Sequence, residues 1–165
     1  MQTITDYESD SHIDGDHILM SLTYIGNNKG KDDGVELIRT LEKWRISNEK
    51  SNVTSAIAIN DNYFIQNLEG PRSIINEVMA KLINEYPRIA LNIIEVKEIE
   101  TRSWDGFLIR YLTSSAQDEE YTLKSFSAGA DFNPFLMKKT QITGFIKAIF
   151  AEQALSKSQS DRINY

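Results

Sequence analysis

The chain has 165 residues, with 18 Lys and Arg against 24 Asp and Glu, and no cysteine. That length suits one domain with a real core, and the missing cysteines exclude disulfides, thiolate nucleophiles, iron–sulfur clusters and every zinc site that needs sulfur. Two histidines, His12 and His17, leave little for a His-rich metal centre or a histidine-based triad. A formal net charge of −6 argues against a nucleic-acid surface, where phosphate contacts need clustered positive charge. No apolar run approaches the roughly 20 residues of a membrane span. The first residues are acidic where a signal peptide is basic and then apolar. The composition is that expected of a cytoplasmic protein whose hard chemistry, if any, is carried by something other than its own side chains.

Residues 1–16 are polar and acidic (Asp6, Glu8, Asp10, Asp14, Asp16) and read as a flexible leader. Ile18 to Ile25 is a mostly apolar run of strand length closed by Gly26–Asn27–Asn28. Asp32–Asp33 then opens a predicted helix with Val35, Leu37, Ile38, Leu41 and Trp44 near helical spacing, fading around Ser47–Asn48. Asn52 to Ile59 and Tyr63 to Leu68 are two strand candidates, joined by Asn60–Asp61–Asn62, whose side chains favour tight turns. Glu69–Gly70–Pro71 ends the second of these, with Pro71 placed to start a helix. That helix carries one apolar stripe of Ile74, Ile75, Val78, Met79, Leu82, Ile83 and Tyr86, stopped by Pro87. Leu91 to Ile99 and Trp104 to Leu112 read as two more strands.

The order strand, helix, strand, strand, helix, strand, strand predicts an α+β fold. It is a ferredoxin-like split βαβ unit with a five-stranded mixed sheet and two helices on one face. After a polar link, Asp118 to Ser127 suits a short helix. Asn133–Pro134 resembles a cap and first-turn proline opening a longer amphipathic helix through Phe135, Leu136, Ile142, Phe145, Ile146, Ile149 and Phe150. Its apolar stripe must be buried, and the free second face of the sheet is the natural place. The expected organisation is a core domain over 17–112, a C-terminal helical extension over 113–155, and a polar tail over 156–165 that frays.

Three polar residues stand where a core prefers apolar ones: Tyr24 in the first strand, Asn48 at the end of the first helix, and Gln66 inside Phe64–Ile65–Gln66–Asn67–Leu68. Singly, each has an ordinary reading as packing, cap or surface. Their order and spacing change that. Leu22–Thr23–Tyr24–Ile25, Ser47–Asn48, Asn52–Val53–Thr54 and above all Phe64–Ile65–Gln66–Asn67–Leu68–Glu69–Gly70 closely resemble the BLUF family of blue-light sensors using flavin. The resemblance spans His17 to Leu112.

That resemblance implies a domain holding oxidised flavin, FAD with FMN as the alternative, between its two core helices. Tyr24 and Gln66 match the photoactive pair, and Asn48 matches the flavin-binding asparagine. A carboxamide has both donor and acceptor, so Asn48 suits the flavin C4=O and N3 edge, and Gln66 can bridge Tyr24 and flavin N5. The implied photocycle has Tyr24 give up an electron and a proton while Gln66 rearranges its hydrogen bonds. The flavin ends oxidised, with a red-shifted spectrum. Arg45 and Lys81 are further cofactor-binding candidates on the phosphate side, and Glu85 falls where the family has an acid.

Trp104, Phe107 and Ile109 match the family's signal-relay strand with departures. The large and small aromatics are exchanged, and Ile109 stands at a methionine position, replacing a flexible thioether with a stiff β-branched chain. Glu85–Tyr86–Pro87–Arg88 alters a basic pair, and Ser55 replaces a glycine. These departures bear on signal output more than on flavin binding. The implied protein is a bacterial photoreceptor module, not an enzyme, acting through an unknown downstream signalling protein. It is expected to self-associate and to contact neither nucleic acid nor membrane. The rivals are a flavin-binding domain with altered or lost light signalling, and a small flavin reductase or acylphosphatase-like enzyme.

Overall fold

The computed structural model describes residues 17–27, 39, 43, 52–60, 62–85, 90–112 and 133–163, with side chains to residue 151. They form β1 (Leu19–Asn27), β2 (Thr54–Ile59), β3 (Tyr63–Pro71), α1 (Arg72–Glu85), β4 (Asn92–Ile99) and β5 (Phe107–Tyr111), then a 3-10 turn at Pro134–Leu136 and α2 (Lys139–Ile163). The strands make one sheet in the order β4-β1-β3-β2-β5. β3 lies antiparallel to both β1 and β2, so those two run parallel on either side of it, the split βαβ arrangement. β5 pairs parallel with β2 and makes the sheet mixed. The ferredoxin-like α+β fold is therefore the one expected.

Both faces of the sheet's central strands are buried. Leu22, Tyr24, Ile57, Ile59, Phe64 and Leu68 pack against Ile75, Val78 and Leu82 of α1. Ile25, Ala56, Ala58, Ile65 and Trp104 pack against Ile142, Phe145, Ile146, Ile149 and Phe150 of α2. Double coverage explains why β2 is an almost unbroken apolar run rather than an alternating one. The C-terminal helix thus occupies the second face, as its apolar stripe requires. Of the predicted first helix only Arg39 and Lys43 are described, both helical. The leader and the short helix predicted at Asp118–Ser127 lie outside the described residues. No helix among the described residues is long and apolar enough to cross a membrane.

Local chemistry fixes the joints. Asn60 Oδ1 accepts from the backbone N–H groups of Asn62 (2.9 Å) and Tyr63 (2.7 Å), which turns the β2–β3 hairpin as its sequence suggests. Glu69, 2% exposed, accepts from the Ser103 N–H at 2.7 Å. Arg102 donates to Thr54 Oγ1 (2.8 Å), to the Glu69 carbonyl (2.9 Å) and to the Asn52 carbonyl. Burial lowers the pKa of that guanidinium while the Glu69 charge opposes the shift. A side chain at Gly70 would stand 3.1 Å from Val53 Cγ2 and 3.5 Å from the Asn52 carbonyl, so this glycine permits a close approach of the β2 entry. Asn52 itself takes a left-handed φ of 46°, which delays the start of β2 to Thr54.

Four expectations are corrected. Pro71 closes β3 rather than opening the helix. Beyond Glu69 that strand has only β1 beside it, and the Arg72 N–H donates back to the Ile18 carbonyl at 2.9 Å. Asn133 does cap, with Oδ1 accepting from the Phe135 N–H at 3.0 Å, but the capped unit is the 3-10 turn, which ends where Met137 becomes extended. α2 starts afresh, the Lys138 N–H donating to Gln141 Oε1 at 2.7 Å, so Phe135 and Leu136 stay out of its stripe. Helical backbone continues through Ile163. Trp104 precedes its strand, which begins at Phe107, and Ile83 is 53% exposed rather than part of the α1 stripe.

Two measurements test this architecture. Phe145 is wholly buried between α2 and the sheet, so Phe145→Ala should cost about 3–5 kcal/mol in urea unfolding. An effect below about 1 kcal/mol would mean that α2 is not part of the cooperative core. Glu95 on β4 pairs with Lys97 (2.9 Å) and with Lys139 at the start of α2 (3.2 Å). The Lys97 hydrogen bond holds its carboxyl below the usual range, against burial and with help from Lys139. A depressed carboxyl pKa contributes stability above the unfolded value, lost as pH falls through the folded one. Lys139→Met should therefore raise the Glu95 pKa in an NMR titration and move acid unfolding to higher pH.

Candidate functional site

Cross-strand pairing places Tyr24 of β1 directly opposite Gln66 of β3. Both side chains face α1 and both are 0% exposed. The Tyr24 hydroxyl donates to Gln66 Oε1. Phe64 stands edge-on to the Tyr24 ring, with centroids 5.9 Å apart and planes at 86°, and so limits the ring's freedom. Once Oε1 accepts from the phenol, the other end of the carboxamide is an N–H₂ group. Gln66 Nε2 is buried and has no hydrogen-bond partner among the described residues.

A buried donor without an acceptor costs on the order of 1–3 kcal/mol. Such a group marks a place where something else supplies the acceptor. An isoalloxazine ring offers N5 and C4=O for that purpose, so the residues present fit a flavin. Ser55 Oγ on β2 is a second buried atom without a partner among the described residues, and the β2 alternation puts it on the same face as Ile57 and Ile59.

Other expected residues fall in different places. Asn48 and Arg45 lie outside the described residues. Lys81 and Glu85 are exposed on α1, four positions apart and so on one side of the helix. Phe107 is half-buried against the α1-side core. Ile109 is level with Ile57, itself level with Gln66, and is 44% exposed. Trp104 is on the other face. Its indole N–H donates to Asn67 Oδ1 at 2.7 Å, and its ring meets Phe150 of α2 edge-on at 5.6 Å. The structure thus gathers Tyr24, Gln66, Phe107 and Ile109 on one side and separates Trp104 from them. Among the described residues no His, Asp and Glu group is arranged to hold a metal ion.

Sequence reasoning passed over Asn67, Ser21 and Thr23, which form a buried polar cluster beneath α2. Asn67 Nδ2 donates to Ser21 Oγ at 2.8 Å and to Thr23 Oγ1 at 2.9 Å. Glu69 and Arg102 were missed too. A signal was available: in a strand covered on both faces, every polar side chain must find a partner.

Comparison with known proteins agrees with this geometry. The family profile described as "BLUF: Sensors of blue-light using FAD" matches residues 19–109, more than half of the chain. Among solved structures, BlsA in its photo-activated state aligns with a TM-score of 0.60 at 20% identity, over 79% of this chain and 93% of that one. BlsA in its ground state gives 0.60 at 19% identity, over 77% and 84%. A bacterial light-regulated adenylyl cyclase gives 0.52 at 18% identity, covering 66% of this chain and 34% of that one. At these identities the likenesses concern the fold. No curated protein matches the sequence significantly. With its matched profile running from the start of β1 into β5, the chain belongs to the BLUF family of flavin-binding blue-light sensors.

Proposed function

We propose that the Tyr24–Gln66 pair is the photoactive switch of this chain, read out by protein contact. The observation that carries the reading is the orphaned Gln66 Nε2 beside a phenol that already donates to Gln66 Oε1. Bound oxidised flavin supplies blue-light absorption and an electron-accepting excited state. Tyr24 is the group that gives up an electron and a proton, and its hydroxyl already points at the carboxamide oxygen that would take the proton. Gln66 then changes its hydrogen bonds by rotating or tautomerising, because a carboxamide can exchange donor for acceptor without a change of shape.

Asn48 would hold the C4=O and N3 edge, with Arg45 and Lys81 on the phosphate side and Glu85 beside them. FAD is the favoured cofactor, with FMN the alternative. Phe107 and Ile109 lie on the same face as the pair, beyond β2, and Trp104 serves output from the opposite one. The switch returns to its starting state and consumes nothing, so its own output is not catalytic. The signal passes to a cytoplasmic partner protein, with the chain itself self-associated.

Purified protein should be yellow, and blue light should shift its absorption reversibly to the red. Gln66→Leu should abolish the shift while flavin stays bound roughly 5-fold more weakly, the loss of about one hydrogen bond. Tyr24→Phe should also remove the shift. A colourless protein that FAD cannot reconstitute would sink the proposal. A yellow wild type without any shift would favour a flavin-binding domain that has lost light signalling, the reading to which the exposed Ile109 at the relay strand lends itself.

A further inference from the structure

We propose that Asn67 and Trp104 are positioning residues that couple the Tyr24–Gln66 pair to α2 through the sheet. The inference rests on the photoswitch reading above. Successive residues of a strand face opposite sides, so Gln66 looks toward α1 and Asn67 toward α2. The β1–β3 register puts Tyr24 opposite Gln66 and Thr23 opposite Asn67. Two hydrogen-bonded cross-strand pairs therefore stand back to back, joined by the same two stretches of backbone.

The carboxamide on the far side is fully engaged. Asn67 Nδ2 gives its two N–H bonds to Ser21 Oγ and Thr23 Oγ1 on β1, and Oδ1 accepts from Trp104 Nε1. An indole N–H can only donate, which fixes the amide orientation: turned over, it would set N–H₂ against N–H. Ser21 and Thr23 are 4% exposed, and Asn67 and Trp104 are 7% exposed, so these bonds are made largely away from bulk water, where each is stronger. Trp104 meets Phe150 with ring planes at 68°, inside the row of side chains by which α2 sits on the sheet.

Hydrogen bonds weaken steeply once their angle departs from linear. When Gln66 changes partners, the offset between β1 and β3 that the Tyr24–Gln66 bond helps to set is altered. Asn67 spans the same two strands and cannot keep all three bonds across a changed offset. Its carbonyl holds the indole N–H of Trp104, so the indole moves and Phe150 with it. A polar cleft of about 370 Å³ beside this cluster, bounded by Ser21, Thr23, Asn67, Trp104 and Thr143, leaves the carboxamide and indole room to shift.

The test is hydrogen–deuterium exchange of the flavin-loaded full chain in darkness and under blue light, with the absorption shift recorded on the same samples. Wild type should show the red shift together with a light-dependent change in amide exchange around Ile146–Phe150. Trp104→Phe keeps a ring against Phe150 but removes the donor, and Asn67→Leu removes the carboxamide. Both should keep the red shift and lose the light-dependent change in α2. Asn67→Asp, which retains an acceptor for the indole, should restore it.

A merely structural role would alter dark exchange in these variants and leave the light-minus-dark difference in place. That result overturns the inference, as does a wild type that red-shifts without any response in α2. Absence of the red shift in wild type would instead overturn the photoswitch itself, and this coupling with it. If Asn67→Leu fails to fold, Trp104→Phe decides alone.

Discussion

β3 is buried on both faces, and its polar side chains must therefore be matched from two directions at once. Gln66 is matched by Tyr24 at its oxygen, while its nitrogen has no partner among the described residues. Asn67 is matched by Ser21, Thr23 and Trp104 on the other. Glu69, next in alternation on that same face, fixes the loop that delivers Trp104 by accepting from the Ser103 N–H. Burying polar groups costs free energy unless every bond is made. A strand that carries three of them in four positions is thus committed to a single arrangement of its neighbours. Pairing with β1 and β2, the position of the 100–104 loop and the seat of α2 all follow from that commitment.

The same constraint divides the chemistry of the molecule into two halves. On the α1 side a polar pair lies in an apolar surround of Leu22, Phe64, Leu68 and Ile57, where a phenol and a carboxamide interact strongly and water is excluded. On the α2 side the polar groups are bonded to one another, and Trp104 meets Phe150 of the helix edge-on. In the first half one donor, Gln66 Nε2, has no partner among the described residues. In the second, Asn67 already uses both of its N–H groups and its carbonyl.

Legibility in the sequence followed from how local each cause was. Tyr24 and Gln66 stood out because polar residues interrupt apolar runs, and the hairpin and α1 announced themselves through Asn60 and a 3.6-residue stripe. Asn133 misled because its cap is real yet serves a 3-10 turn: nothing near it in sequence reveals that Met137 becomes extended. The side of the sheet that Trp104 occupies depends on the strand starting at Phe107, set by the Ser55 N–H bond to the Gly106 carbonyl, a contact between residues remote in sequence. Asn67 was overlooked because its value lies in three partners from β1 and the β4–β5 loop. Such a role becomes visible only when the register is known.

The two outer strands of the sheet are guarded unequally. β4 carries Glu95, Lys97 and Glu98 in eight residues, and an edge so charged is a poor template for a further strand. β5 has five residues with one charge, Arg110, whose guanidinium turns inward to the Ile149 carbonyl at 3.3 Å. Ile109 and Tyr111 remain 44% and 49% exposed beside it. Shortness rather than charge is what protects that border. A substitution that lengthened β5 would therefore threaten solubility sooner than one of equal size on β4.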